Sequence, residues 1–206
     1  MYQLYDYPTS GNGYKVALLL HQLDLSFRYL ETDILAGEAQ SPAFLARNPN
    51  GKIPVLITPE ERVLSESNAI LLYLAEGTPF LPTSREARFE VNQWLFWEQY
   101  SHEPYIATSR FWLHHPQSGS FQDKIAERRP GGLKALAMME NHLAKNDFMV
   151  GDGYSVADIA LYAYTHKADE GGFALADYPA VSAWVARVAA QPRHITIEEK
   201  TNFTGT

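Results

Sequence analysis

Residues 2–30, YQLYDYPTSGNGYKVALLLHQLDLSFRYL, decide the fold of this chain. Residues 2–5 are rich in β-favouring side chains and read as a short strand. Pro8, Ser10, Gly11, Asn12 and Gly13 follow as turn signals. Residues 14–23 place Val16, Leu19, Leu20 and Leu23 at helical spacing, so a helix is predicted there. Residues 27–30 form a second strand. A strand, a helix and a strand in this order imply parallel pairing through a crossover.

The pattern continues outward. Ser41 caps a short helix over residues 41–45, with Pro42 at its first position. Residues 48–51, NPNG, read as a turn. Strands at 55–57 and 63–64 flank the turn at Pro59, and residues 67–76 form a helix with Ile70, Leu71 and Leu74 on one face. Gly77, Pro79 and Pro82 then break the chain. Beyond them every pattern is helical. Long helices are predicted over 87–112, around Leu133, Leu136, Met139 and Leu143, over 155–167 and over 180–190. The expected division is residues 1–78 as an α/β domain, 79–84 as a linker and 85–206 as an all-α domain. The polar tail from Thr196 is expected to be loose.

Composition limits what such a chain can do. Hydrophobic residues make up 46% and charged residues 20% of 206, so a core of useful size is available. The net charge of -7 argues against broad attraction to nucleic acid or to an anionic membrane. There is no cysteine, which removes disulfides, cysteine metal sites and a protein thiol nucleophile. Any thiol chemistry must come from a bound molecule. The first six residues do not read as a signal peptide, and the apolar run 16–20 is far too short to span a bilayer. A cytoplasmic protein is expected.

Four motifs occur in order along the whole chain: SGNGYKV at 10–16, NPNGKIPVL at 48–56, ESNAI at 66–70 and SVAD at 155–158. Together they resemble a bacterial glutathione transferase. The resemblance implies a thioredoxin-like N-terminal domain of order β-α-β-α-β-β-α, an all-α C-terminal domain and a homodimer. It implies glutathione as co-substrate, no metal, and a role in detoxification. The second substrate would be a small hydrophobic electrophile, a peroxide or a disulfide.

The site residues follow from matching each motif to its chemistry. A free thiol has a pKa of about 8.5, so little thiolate exists at neutral pH. A hydroxyl donating to the sulfur, and a helix N-terminus behind it, favour the ionised form. Ser10 and Asn12 are the candidates for that role; by itself Ser10 equally fits a helix cap. Many members of the family carry Cys where Gly13 stands, or use Tyr or Cys for catalysis. Thr9, Tyr5, Tyr7 and Tyr14 therefore stay open as alternatives.

The resemblance implies a cis Ile53–Pro54 peptide whose backbone pairs with the cysteinyl part of glutathione. A strand-opening proline has an ordinary trans reading as well. Lys52 and Gln40 are candidates for the glycyl carboxylate. Ser67, at a helix start, can hold the γ-glutamyl carboxylate, and Glu66 its ammonium.

Tyr14, Tyr100, Tyr105 and Phe111 are the candidates for an electrophile pocket among aromatics that mostly suit a core. Ser155 and Asp158 read as a structural capping box. His102, His114 and His115 lack a metal-binding repeat. Two readings of another class stand beside the enzyme, a non-catalytic binding module and a regulator on the same fold. Retention of Ser10, Ile53–Pro54 and Glu66-Ser67 favours the enzyme.

Overall fold

A computed structural model describes residues 1–115, 121–151 and 153–204. The chain divides into two compact units. One is Met1–Glu76 together with Gln191–Thr206, and the other is Gly77–Ala190.

The first unit contains strands β1 (Tyr2–Asp6), β2 (Phe27–Glu31), β3 (Val55–Ile57) and β4 (Val63–Ser65) in the sheet order β2-β1-β3-β4. β1 runs parallel to β2, and β3 is antiparallel to both β1 and β4. Helix α1 (Gly11–Gln22) makes the crossover between the parallel strands. Val16, Ala17, Leu18, Leu19 and Leu20 are all fully buried, because this helix is apolar on every side. Two shorter helices follow, α2 (Pro42–Leu45) and α3 (Ser67–Ala75). α3 buries Ile70, Leu71, Leu74 and Ala75 and packs beside α1. The elements predicted for this half of the chain are all present.

The second unit is helical: α4 (Arg85–Trp97), α5 (Glu103–His114), α6 (Gln122–Leu143), α7 (Val156–Thr165) and α8 (Pro179–Ala189). All ten residues of α7 are buried, so it is the centre of this unit. Its start is the predicted capping box. Ser155 Oγ accepts from the Ala157 N–H, and the Asp158 carboxylate accepts from the Ser155 N–H at 3.0 Å. The same carboxylate accepts from Met149 N and Trp184 Nε1, both at 2.9 Å, tying α7 to α8.

Two expectations are corrected here. The single helix over 87–112 is two helices joined by a π-helical segment, Glu98–His102. Pro104 explains the break: it has no N–H, and its ring crowds the preceding turn.

Residues 196–204 of the C-terminal tail are not loose and do not belong to the helical unit. The Tyr29 N–H donates to Phe203 O, and the Phe203 ring stacks on Phe27 with centroids 4.6 Å apart. The segment thus lies along β2, which a domain boundary drawn from sequence order alone missed.

Candidate active site

One edge of the sheet gathers most of the predicted residues. Tyr5 pairs with Val55, and Val55 with Ser65. β1 and β4 therefore end where β3 begins. The loop after β1, the Ile53–Pro54 peptide and Glu66 share that edge. α1 and α3 also start there, with two positive dipole ends.

Ser10 is the N-cap of α1, and its Oγ accepts from the Gly13 N–H at 3.2 Å. That bond uses a lone pair and leaves the hydroxyl proton to donate. The capping and the chemical readings are thus compatible at this residue. Asn12 Oδ1 accepts from the Ser67 hydroxyl at 3.2 Å, joining residues 55 positions apart. Lys15, fully buried, adds a second tie by donating to Asn68 Oδ1 at 3.0 Å. Glu66 is exposed with φ 65° and ψ 106°. Such a conformation costs a residue with a β-carbon about 1–3 kcal/mol and persists only where the surroundings enforce it.

The turn before β3 brings a second group together. Asn48 Nδ2 donates to Lys52 O at 2.7 Å, and its Oδ1 accepts from the Asn50 N–H at 3.1 Å. Gln40 Nε2 donates to Gly51 O at 3.0 Å, so Gln40 lies beside Lys52. Both side chains are exposed, and the Ile53–Pro54 bond is cis. Ile53 packs with Tyr5 and Ile34 on the cluster of Ala39, Phe44 and Val55.

The tyrosines separate clearly. The Tyr5 ring meets Phe44 edge-on at 6.5 Å and lies under the Arg47 guanidinium at 5.0 Å. Burial, then the charges of Asp33 and Glu31, push the Tyr7 hydroxyl above its ordinary pKa, so it stays protonated at neutral pH.

Tyr14 is a correction. It is fully buried, its hydroxyl donates to Ile195 O at 2.6 Å, and it lies 3.2 Å from His194 Nε2. On a helix enclosed all round, it is a core residue and does not line an open pocket.

The other pocket candidates lie on the helical unit. Tyr100 is 84% exposed. Tyr105 and Phe111 are partly exposed; Tyr105 packs on Gly131, and Phe111 stacks on His115 at 4.5 Å. The histidines hold structure: His102 bonds Thr165 Oγ1 at 2.9 Å, and His114 Nε2 lies 3.2 Å from the Glu170 carboxylate.

Sequence reasoning missed a buried cluster directly beneath Ser10. Asp6 and Lys200 are both fully buried and form an ion pair. Lys200 Nζ also donates to Tyr7 O at 3.0 Å and to Ser10 O at 2.8 Å. Burial pushes the Asp6 carboxyl above the usual carboxylate range, while Lys200, the Tyr7 backbone and the nearby Ser10 hydroxyl draw it back down. A β-carbon at Gly13 would fall 1.8 Å from Asp6 Cγ, so the carboxylate fills the space a side chain there would need. A lone lysine in a polar tail carries no sequence signal for such a role.

Comparison with known proteins agrees with this architecture. The family model for the glutathione S-transferase N-terminal domain matches residues 1–76, and that for the C-terminal domain matches residues 96–192. The chain is similar to glutathione S-transferase 3 of Zea mays, 36% identical over 202 residues, covering 92% of this chain and 90% of that protein. It is similar to the disulfide-bond oxidoreductase YfcG of Escherichia coli strain K12, 33% identical over 93% of this chain and 92% of that one. A crystal structure of a glutathione S-transferase from Pseudomonas fluorescens Pf-5 superposes with a TM-score of 0.93, at 49% identity over 95% of this chain and 98% of that one. With both domain models matched in order and relatives of this identity along nearly its whole length, the chain belongs to the glutathione S-transferase family.

Proposed function

We propose that this chain is a glutathione transferase whose glutathione lies at the sheet edge where α1 and α3 begin. The observation that carries this reading is the Asn12–Ser67 hydrogen bond. It draws the thiol-activating candidates and the γ-glutamyl candidates into one place, with two helix dipoles behind them. Ser67 and the α3 N-terminus receive the γ-glutamyl carboxylate, and Glu66 pairs with the neighbouring ammonium. Ile53 supplies backbone pairing to the cysteinyl residue. Lys52 and Gln40 hold the glycyl carboxylate.

Chemistry then follows from the position of Ser10. Its hydroxyl proton, for which the Asp6 carboxylate competes, turns to the sulfur, with Asn12 assisting, and the S–H bond ionises with its proton passing to solvent. The thiolate electron pair forms a bond to an electrophilic carbon, and the leaving group departs with its own bonding pair. Tyr105 and Phe111 are the aromatic side chains proposed for a small hydrophobic electrophile. A cytoplasmic detoxification role and a homodimer accompany this reading.

The similarity to a disulfide-bond oxidoreductase favours a second reaction at the same site. There the thiolate attacks one sulfur of a disulfide, and the other sulfur leaves as a thiolate. Glutathione titration by calorimetry, with thiolate absorbance followed against pH, tests the shared step. Assays with an aryl halide and with a small disulfide then separate the two reactions. A chain that binds no glutathione refutes both.

A further inference from the structure

The buried Lys200 belongs to neither the sheet nor the helices around the site, yet it reaches the loop that carries Ser10. An ammonium has three protons to donate. Here all three have partners: the Asp6 carboxylate, Tyr7 O and Ser10 O. The two carbonyls sit at either end of the turn closed by the Ser10 N–H to Tyr7 O bond at 2.9 Å. Ser10 O also accepts from the Tyr14 N–H at 3.1 Å, so this turn continues directly into α1. Asp6, the end of β1, lies under the same turn and against Gly13.

The C-terminal segment is held for this contact. The short 3-10 turn Glu199–Asn202 presents Lys200 inward, and Phe203 anchors the next residue pair on β2. Upstream, Ile195 and Ile197 are buried, and the Ile195 carbonyl accepts the Tyr14 hydroxyl. A buried lysine is costly unless fully paired, and apolar residues would fill such a space as well or better. Its presence beneath the one turn that carries Ser10 calls for a role that an apolar residue lacks.

We propose that Lys200 is a positioning residue: through the C-terminal segment it pins the Tyr7–Ser10 turn over Asp6 and so sets where the Ser10 hydroxyl stands for thiol activation. This rests on the glutathione-transferase reading of the site. Neutralising Asp6 has a second effect in the same direction. With Lys200 paired to it, the carboxylate competes less for the Ser10 proton, which is left to the sulfur.

Two variants of the full chain test this, Lys200→Met and Asp6→Asn/Lys200→Met. The double variant removes both charges, so it folds even where the single one leaves an unpaired buried carboxylate. The readouts are far-UV circular dichroism for folding, thiolate absorbance of bound glutathione against pH, and kcat and KM with an aryl halide. The expected result is a folded double variant whose bound-thiol pKa rises by about one unit, with kcat at neutral pH down about tenfold and KM for glutathione changed far less. Part of the lost kcat returns at high pH. A folded double variant with the parent's thiol pKa and kcat overturns the proposal while leaving the parent reading intact. A parent protein that forms no thiolate overturns that reading, and this inference with it.

Discussion

Gly13→Ala reverses sign depending on what lies beneath it. In an ordinary helix this substitution stabilises by about 0.5–1 kcal/mol, because glycine loses more freedom on folding. Here the new β-carbon falls 1.8 to 2.0 Å from three atoms of the Asp6 carboxyl group. Ordinary contact begins near 3.4 Å. The carboxylate must retreat by well over an ångström, and it is fully buried and bound to Lys200. Separating a buried ion pair costs about 3–5 kcal/mol, so the net loss is roughly 2–4 kcal/mol. With a urea dependence of about 1–3 kcal/mol per molar, the midpoint falls by roughly 1 M or more.

Far-UV circular dichroism follows both units. Tryptophan fluorescence follows only the helical one, since Trp94, Trp97, Trp112 and Trp184 all lie there. The loss is expected in the first signal before the second. In an Asp6→Ala/Lys200→Met background the clash is gone, and Gly13→Ala should return to a small gain. A Gly13→Ala protein as stable as its parent, in the chain with Asp6 intact, refutes this account of the cluster.

Four further outcomes are expected. Ser10→Ala should lower turnover at neutral pH far more than glutathione affinity, with partial recovery at higher pH; an unshifted bound-thiol titration would leave Ser10 as a helix cap only. Ser67→Ala removes the one hydroxyl proton that bonds Asn12 Oδ1 at rest and can turn to the γ-glutamyl carboxylate, so the glutathione Kd should rise by roughly 1–3 kcal/mol, or about 5- to 150-fold, measured by calorimetry. Burial holds the His194 imidazole below its ordinary pKa, so the unfolded chain takes up that proton first. The stability it supports is present above about pH 6.5 and is lost progressively as pH falls below that value through the depressed folded pKa, and thermal unfolding of His194→Asn should show a shallower fall between pH 7 and 5. Phe89 and Phe96 on α4 are exposed at 62% and 77%, as a buried association surface would require, and sedimentation should give a dimer at micromolar concentration; a monomer there counts against the assembly.

The order of elements was legible in the sequence because local signals determine it. Alternating and helical apolar spacing, Ser41 with Pro42, and the Ser155–Asp158 capping box all act within a few residues. Ser10, Ile53–Pro54 and Glu66-Ser67 were legible as short motifs at element ends, but their roles came only from the resemblance and stay a proposal. Even Pro104, which divides the long helix, was visible as a residue, though the π-helical segment it produces was not. What tertiary structure decided involves partners far apart in the chain. Tyr14 looked like a pocket residue until α1 proved enclosed on all sides. The polar tail looked loose until Phe203 met Phe27 and Lys200 met Asp6, 194 positions away. A lysine is ordinarily a solvated surface charge, and composition gives no reason to expect otherwise. Only a fold that brings one carboxylate and two backbone carbonyls to the same point can satisfy its three protons away from water.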